Sequence, residues 1–299
     1  MQILQETAAQ NGPLCVGLDT DPSYLPEPVL KGFGSPADAV LAYNLALIDG
    51  VAGRGSACCF KVQIAYYEAM GLRGMGVYAE TVRAVRRTPL VCISDVKRGD
   101  IAASASSYAR AHFSGDFETD IITVNPYMGF DTLRPFTEYC KNGKGVFVLL
   151  RTSNPGMQDL EQQTLKDGTF LLDKVGDELN RLSREFKEIF PEETCSPVGA
   201  VVGCTEKENA RALRDAYKDI FFLIPGYGAQ GGDARIAASL LSCAGGTVNS
   251  SRGILCAWKK DPYCVRKAEE GTVTLDDVVS SALRACDASK EELMAACKE

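Results

Sequence analysis

The chain has 299 residues, 45% hydrophobic and 24% charged, proportions that fit a globular protein with a sizeable core and exclude disorder and collagen-like structure. Lys and Arg number 32 against 39 Asp and Glu, a formal net charge of −7, so no broad cationic field is available for nucleic acid or an anionic membrane. A small anionic ligand needs only a local positive site and stays open.

The opening MQILQETAAQNGP has neither the basic nor the apolar region of a signal peptide, and no apolar run approaches the roughly 20 residues of a membrane span. Short apolar runs then recur, each followed by a more polar stretch with helical spacing. LCVGLD (14–19) precedes DAVLAYNLALIDGV (38–51), and ACCFKV (57–62) precedes YAETVRAVRR (78–87). LVCISDVK (90–97) leads to SASSYARAHF (104–113), followed by IITVN (121–125) and GVFVLL (145–150). After a long connection containing LLDKVGDELNRLSREFKEIF (171–190) come VGAVVG (198–203), EKENARALRDAY (206–217), IFFLIPG (220–226) and GTVNSSR (246–252). The runs are apolar on both faces, as strands of a buried parallel sheet are. Eight strands alternating with helices predict a single-domain (β/α)8 TIM barrel, with a doubly wound open sheet as the alternative. The segment 153–197 reads as a long insert whose first part is a lid, and 275–298 as a closing helix. The twelve cysteines contain no C-x-x-C and the single His112 completes no zinc set, so a reduced, cytoplasmic, metal-free protein is expected. His112 falls on a helix as a surface or packing residue, and Lys144, Lys259 and Lys260 read as solvated charges.

Reactive groups of such a barrel sit where strands end. Those ends offer Asp19, Lys61, Asp95, Lys97 and, just beyond, Asp100; then Asn125, Ser153, Gln230, Ser251 and Arg252. In SDVKRGD, alternation puts Asp95 and Lys97 on one strand face, while Asp100 is placed to cap a helix starting at Ile101. A plain buried ion pair is one reading. Asp19 and Lys61 favour another, because burying alternating charges for stability alone competes poorly with apolar packing. Ammoniums among carboxylates stay protonated and suit stabilising, then protonating, a carbanion. Gly226, Gly228 and Gly231 show G-x-G-x-x-G spacing, but after the seventh strand and without a ribose-binding acid downstream. A Gly-rich turn approaching an anion with Arg252 fits better than a dinucleotide site.

The ordered motifs GLDTDP (17–22), FKVQIAYYEAMG (60–71), SDVKRGDIAASAS (94–106), TVNPYMGFD (123–131), TSNPG (152–156), PGYGAQGGD (225–233) and SSRGI (250–254) resemble those of orotidine 5′-monophosphate decarboxylases. Within that family they resemble the long-insert subgroup of mycobacteria and some protozoa. The resemblance implies release of CO2 from orotidine 5′-monophosphate (OMP) to give UMP in de novo pyrimidine biosynthesis, with no metal or organic cofactor. It makes Lys97 the acid that protonates C6, Asp95 the group crowding the substrate carboxylate, and Lys61 a bridge from Asp95 to the ribose. Asp19 would hold a ribose hydroxyl, Ser153 the pyrimidine and Gln230, and Gln230 with Arg252 the phosphate. Pro225, Gly231 and Ser251 would complete the substrate contacts, with loop closure around 225–232 and after Ser153 excluding water. Asp100, Ile101 and Ser104 would reach into the neighbouring site of a homodimer; Ser104 stands where many members have threonine.

Three rivals are distinguishable. A Mg²⁺-dependent decarboxylase or hexulose-phosphate synthase places an acidic ligand where Lys61 stands. A Schiff-base aldolase needs a lysine of lowered pKa. A catalytically silent nucleotide-binding barrel has no need of the complete Asp–Lys–Asp set.

Overall fold

In the computed structural model, which describes residues 1–204, 209–228 and 233–298, the eight apolar runs become eight parallel strands. These are β1 (Leu14–Gly17), β2 (Cys59–Gln63), β3 (Val91–Arg98), β4 (Ile121–Val124), β5 (Gly145–Arg151), β6 (Val198–Val202), β7 (Phe222–Ile224) and β8 (Gly246–Ser250). Each pairs with the next, and β8 pairs back with β1 through Cys15↔Asn249, so the sheet is a closed barrel. Closure removes the open-sheet alternative.

The helices of seven or more residues are α1 (Gln2–Asn11), α2 (Pro36–Arg54), α3 (Gly71–Arg86), α4 (Ala102–Phe113), α5 (Leu171–Ile189), α6 (Ala210–Ala216), α7 (Ala234–Leu240), α8 (Pro262–Glu269) and α9 (Leu275–Ala296). α2 starts at a Ser35 cap and stops at Gly55, whose φ of 61° suits a residue without Cβ. α9 begins with a capping box between Thr274 and Asp277. None of the described helices is long and apolar enough to cross a membrane.

Strand periodicity decides what fills the barrel. One cluster holds the inward residues Cys15, Cys59, Ile93, Ile121, Phe147 and Phe221, with Leu4 of α1 joining it at the end where the strands begin. Two residues further along several strands the same inward face turns polar, at Lys61, Asp95, Thr123 and Asn249. A larger cluster, including Val16, Phe60, Val62 and Val148, packs the outward faces against the helices.

Several expectations shift in detail. α4 begins at Ala102 with Ile101 as its N-cap, and Asp100 accepts the Ile101 amide at 2.8 Å instead of capping the helix. Lys144 is not a free solvated charge: its Nζ donates to Glu118 at 2.9 Å and to the Thr119 carbonyl at 2.8 Å. His112 is buried and packs. The 153–197 segment contains a short 3₁₀ turn at Pro155–Asp159, a bridge between Thr164 and Phe170, and then α5. All twelve cysteines are free thiols. Burial pushes Cys92 up to about 12 and Cys204 up to about 11, so these two behave as packing groups.

Candidate active site

At the carboxyl ends of the strands lies a cavity of about 470 Å³ that brings together Asp19, Lys61, Asp95, Lys97, Ser153, Pro225, Ser251 and Arg252. Its floor is a continuous chain of charges. Lys61 Nζ sits 2.9 Å from Asp19 Oδ1 and 3.1 Å from Asp95 Oδ2, and Lys97 Nζ sits 2.7 Å from Asp95 Oδ1. The Ser251 hydroxyl donates to Asp19 Oδ2 at 2.8 Å, joining the last strand's end to the first. Gly17 makes that junction possible, since a Cβ there would lie 2.0 Å from Ser251 Oγ.

Burial alone would lower the pKa of Lys61, but the carboxylates of Asp19 and Asp95 outweigh it and hold the ammonium well above its usual value. Burial would likewise raise Asp95, and the ammoniums of Lys61 and Lys97 overturn it, holding the carboxyl well below the usual range. Both groups are therefore charged at neutral pH. An ammonium lying between the two carboxylates occupies the place a divalent cation would take, and its raised pKa is opposite to what a Schiff-base nucleophile needs. The described residues include no group of three or more His, Cys, Asp or Glu arranged to hold a metal ion.

Asp95 and Lys97 do face the same cavity, but not by plain alternation. The β3–β4 register shifts between Ser94 and Arg98, and Lys97 has φ +42°. Thr123 holds this bulge: its Oγ1 accepts the amides of Val96 at 3.0 Å and Lys97 at 2.8 Å, and donates to Asp95 Oδ1 at 2.9 Å. Gln63 gives Asp95 Oδ2 a further donor at 3.0 Å. Neither residue stood out in the sequence, where Thr123 reads as an ordinary β-branched strand residue. Asn125, the expected polar end of β4, lines a neighbouring apolar cavity instead.

A buried network fixes the Asp19 backbone. Tyr67 donates to the Leu18 carbonyl at 2.9 Å, and Asn44 links Tyr67, Thr81 and Thr20. Tyr24 and Tyr66 form an aromatic side of the cavity, their ring centroids 6.4 Å apart. Leu149, Val201 and Leu223 supply an apolar patch.

Arg252 lies exposed at the rim, opening a short helix (Arg252–Leu255) after β8, while Gly226 and Gly228 follow β7 with φ of 98° and 72°. Gln230 and Gly231 lie outside the described residues. Asp100, Ile101 and Ser104 are not brought to the cavity of their own chain; Ile101 is 55% exposed and Ser104 exposed.

Residues 12–258 match the family described as Orotidine 5′-phosphate decarboxylase / HUMPS family. The orotidine 5′-phosphate decarboxylase of Clostridium botulinum strain Hall is 51% identical over 261 residues, covering 86% of this chain and 89% of that protein. The structure of Leishmania donovani OMP decarboxylase is similar with a TM-score of 0.67 at 28% identity, covering 93% of this chain and 97% of that one. The structure of Plasmodium berghei orotidine 5′-monophosphate decarboxylase reaches a TM-score of 0.76, covering 99% and 98%; at 16% identity this is a likeness of fold alone.

Proposed function

The chain belongs to the orotidine 5′-phosphate decarboxylase / HUMPS family, and from that premise we propose how its residues divide the reaction between them. The reaction is the decarboxylation of OMP to UMP in pyrimidine biosynthesis. Asp95, charged and held from both sides, stands against the substrate carboxylate. Their repulsion is present in the bound substrate and vanishes once the C6–carboxyl bond breaks and CO2 departs. The electron pair left on C6 faces the Lys97 ammonium, which transfers a proton to it and is then reprotonated from water. Lys61 keeps Asp95 and Asp19 in register, and Asp19 accepts from a ribose hydroxyl. Ser153 addresses the pyrimidine, Pro225 and Ser251 line the cavity, and Arg252 with Gln230 and Gly231 takes the phosphate. Phosphate binding at the rim supplies energy for closing the site over the ring.

The observation that carries this reading is the unbroken Asp19–Lys61–Asp95–Lys97 chain along one cavity floor. A steady-state assay following loss of OMP absorbance tests it. Lys97→Ala should abolish turnover with the fold intact, while Arg252→Ala should chiefly raise KM. Full activity in Lys97→Ala would refute the mechanism.

Asp100, Ile101 and Ser104 belong, in this proposal, to the site of a second copy in a homodimer. Support comes from their absence from the lining of their own cavity and from the exposed apolar side chains Ile101, Tyr127 and Met128 after β3 and β4. We further read the barrel as one domain with 153–197 as its insert, working in the cytoplasm. Placement in the mycobacterial and protozoan subgroup rests on the insert's length alone; the clostridial relatives do not support it.

A further inference from the structure

Outside the charged floor, one carboxylate stands out because it holds active-site backbone from a distance. Glu161 lies in the insert, beyond the Pro155–Asp159 turn. Its Oε2 accepts the Thr152 amide at 2.9 Å and its Oε1 the Thr152 hydroxyl at 2.8 Å. The Glu161 backbone is itself anchored, its amide donating to Met157 at 2.8 Å and its carbonyl accepting from Leu172 of α5 at 2.9 Å. Thr152 lines both the substrate cavity and the adjoining apolar cavity of about 500 Å³, so the clamp sits in the wall between them. On its other side Ser153 packs on Gly203, where a Cβ would come within 2.9 Å of the Ser153 Cα.

We propose that Glu161 is a positioning residue for the decarboxylation, closing the 152–161 loop and holding Ser153 against the pyrimidine side of the cavity; this rests on the substrate reading above. A charged acceptor taking two donors from one residue fixes both position and orientation. The insert thereby acts on the base end of the substrate and leaves the phosphate end alone.

The test uses full-length wild type, Glu161→Ala and Glu161→Gln, with kcat and KM for OMP, and calorimetric binding of UMP and of ribose 5-phosphate, which lacks the base. Glu161→Ala should raise KM and weaken UMP binding by about tenfold, with ribose 5-phosphate affinity within about twofold of wild type. Glu161→Gln should recover most of the loss, since its amide can accept the Thr152 N–H and donate to the hydroxyl. If Glu161→Ala does not fold, Thr152→Val, which removes only the hydroxyl half, should show a smaller loss confined to UMP. Unchanged UMP binding, or equal loss of both ligands, would overturn the clamp. A wild type inactive on OMP would instead overturn the substrate reading itself.

Discussion

Two lysines touch the same carboxylate, yet they differ in what they hold. The Lys61 side chain is 5% exposed and lies between two carboxylates, whereas Lys97 is 46% exposed and, among the described residues, pairs with Asp95 alone. Removing Lys61 leaves two poorly solvated carboxylates facing each other, a change that costs on the order of 3–5 kcal/mol. Lys61→Met is therefore expected to lower both turnover and the urea midpoint, while Lys97→Ala loses turnover with its midpoint near wild type; equal midpoints for the two would contradict this. The charged residues were legible in the sequence because they stand at strand ends, although a bulge rather than the expected alternation turns Lys97 into the cavity. Thr123 was not, since its role depends on a bulge in the neighbouring strand, and a bulge leaves no local pattern.

At the scale of elements, α4 is seated against β3 partly through His112. Its Nε2 accepts from Arg98 Nε at 3.3 Å, Nδ1 has no partner among the described residues, and the ring lies 6.4 Å from that of Phe117. Burial, assisted by the nearby Arg98 charge, pulls the imidazole down to about 4. Between that value and the ordinary 6.5 the unfolded chain binds a proton that the folded chain does not, so stability rises with pH across this window and levels off above it. By pH 4 the loss is on the order of 3 kcal/mol. Urea titrations at pH 7.5 and pH 5 should show a larger fall for wild type than for His112→Gln, and parallel falls would remove His112 as the cause. The strands were readable because apolar runs bounded by polar stretches leave few other ways to bury both faces. The start of α4 was displaced by one residue: Asp100 spends its carboxylate on the next amide, so Ile101 takes the cap position without a side-chain bond. Arg214 was invisible for a different reason. It is fully buried, with its guanidinium donating to the carbonyls of Leu240, Gly245, Tyr217 and Ile220 over the Phe222 ring. A charge spent on backbone carbonyls and a ring face has no charged partner motif to look for.

For the whole molecule, the absence of Asp100 from the lining of its own cavity makes assembly testable through activity. Lys97→Ala and Asp100→Ala chains, each inactive alone, should regain about a quarter of wild-type turnover when refolded together in equal amounts, because half the sites of a mixed dimer would be free of either lesion. No recovery, with mixed dimers demonstrated by mass, would place Asp100 outside the partner's site.

The barrel divides its labour by halves. On the roles proposed above, the charged floor comes from the ends of β1, β2 and β3, steadied by Thr123 of β4, while the groups assigned to the base and the phosphate follow β5, β7 and β8. On those roles, the charged floor and the grip on base and phosphate come from separate stretches of one polypeptide. On those roles, exchanging loops of the second half is expected to change which phosphate ester is accepted while leaving the charged floor intact, provided Ser251 still meets Asp19 at the seam.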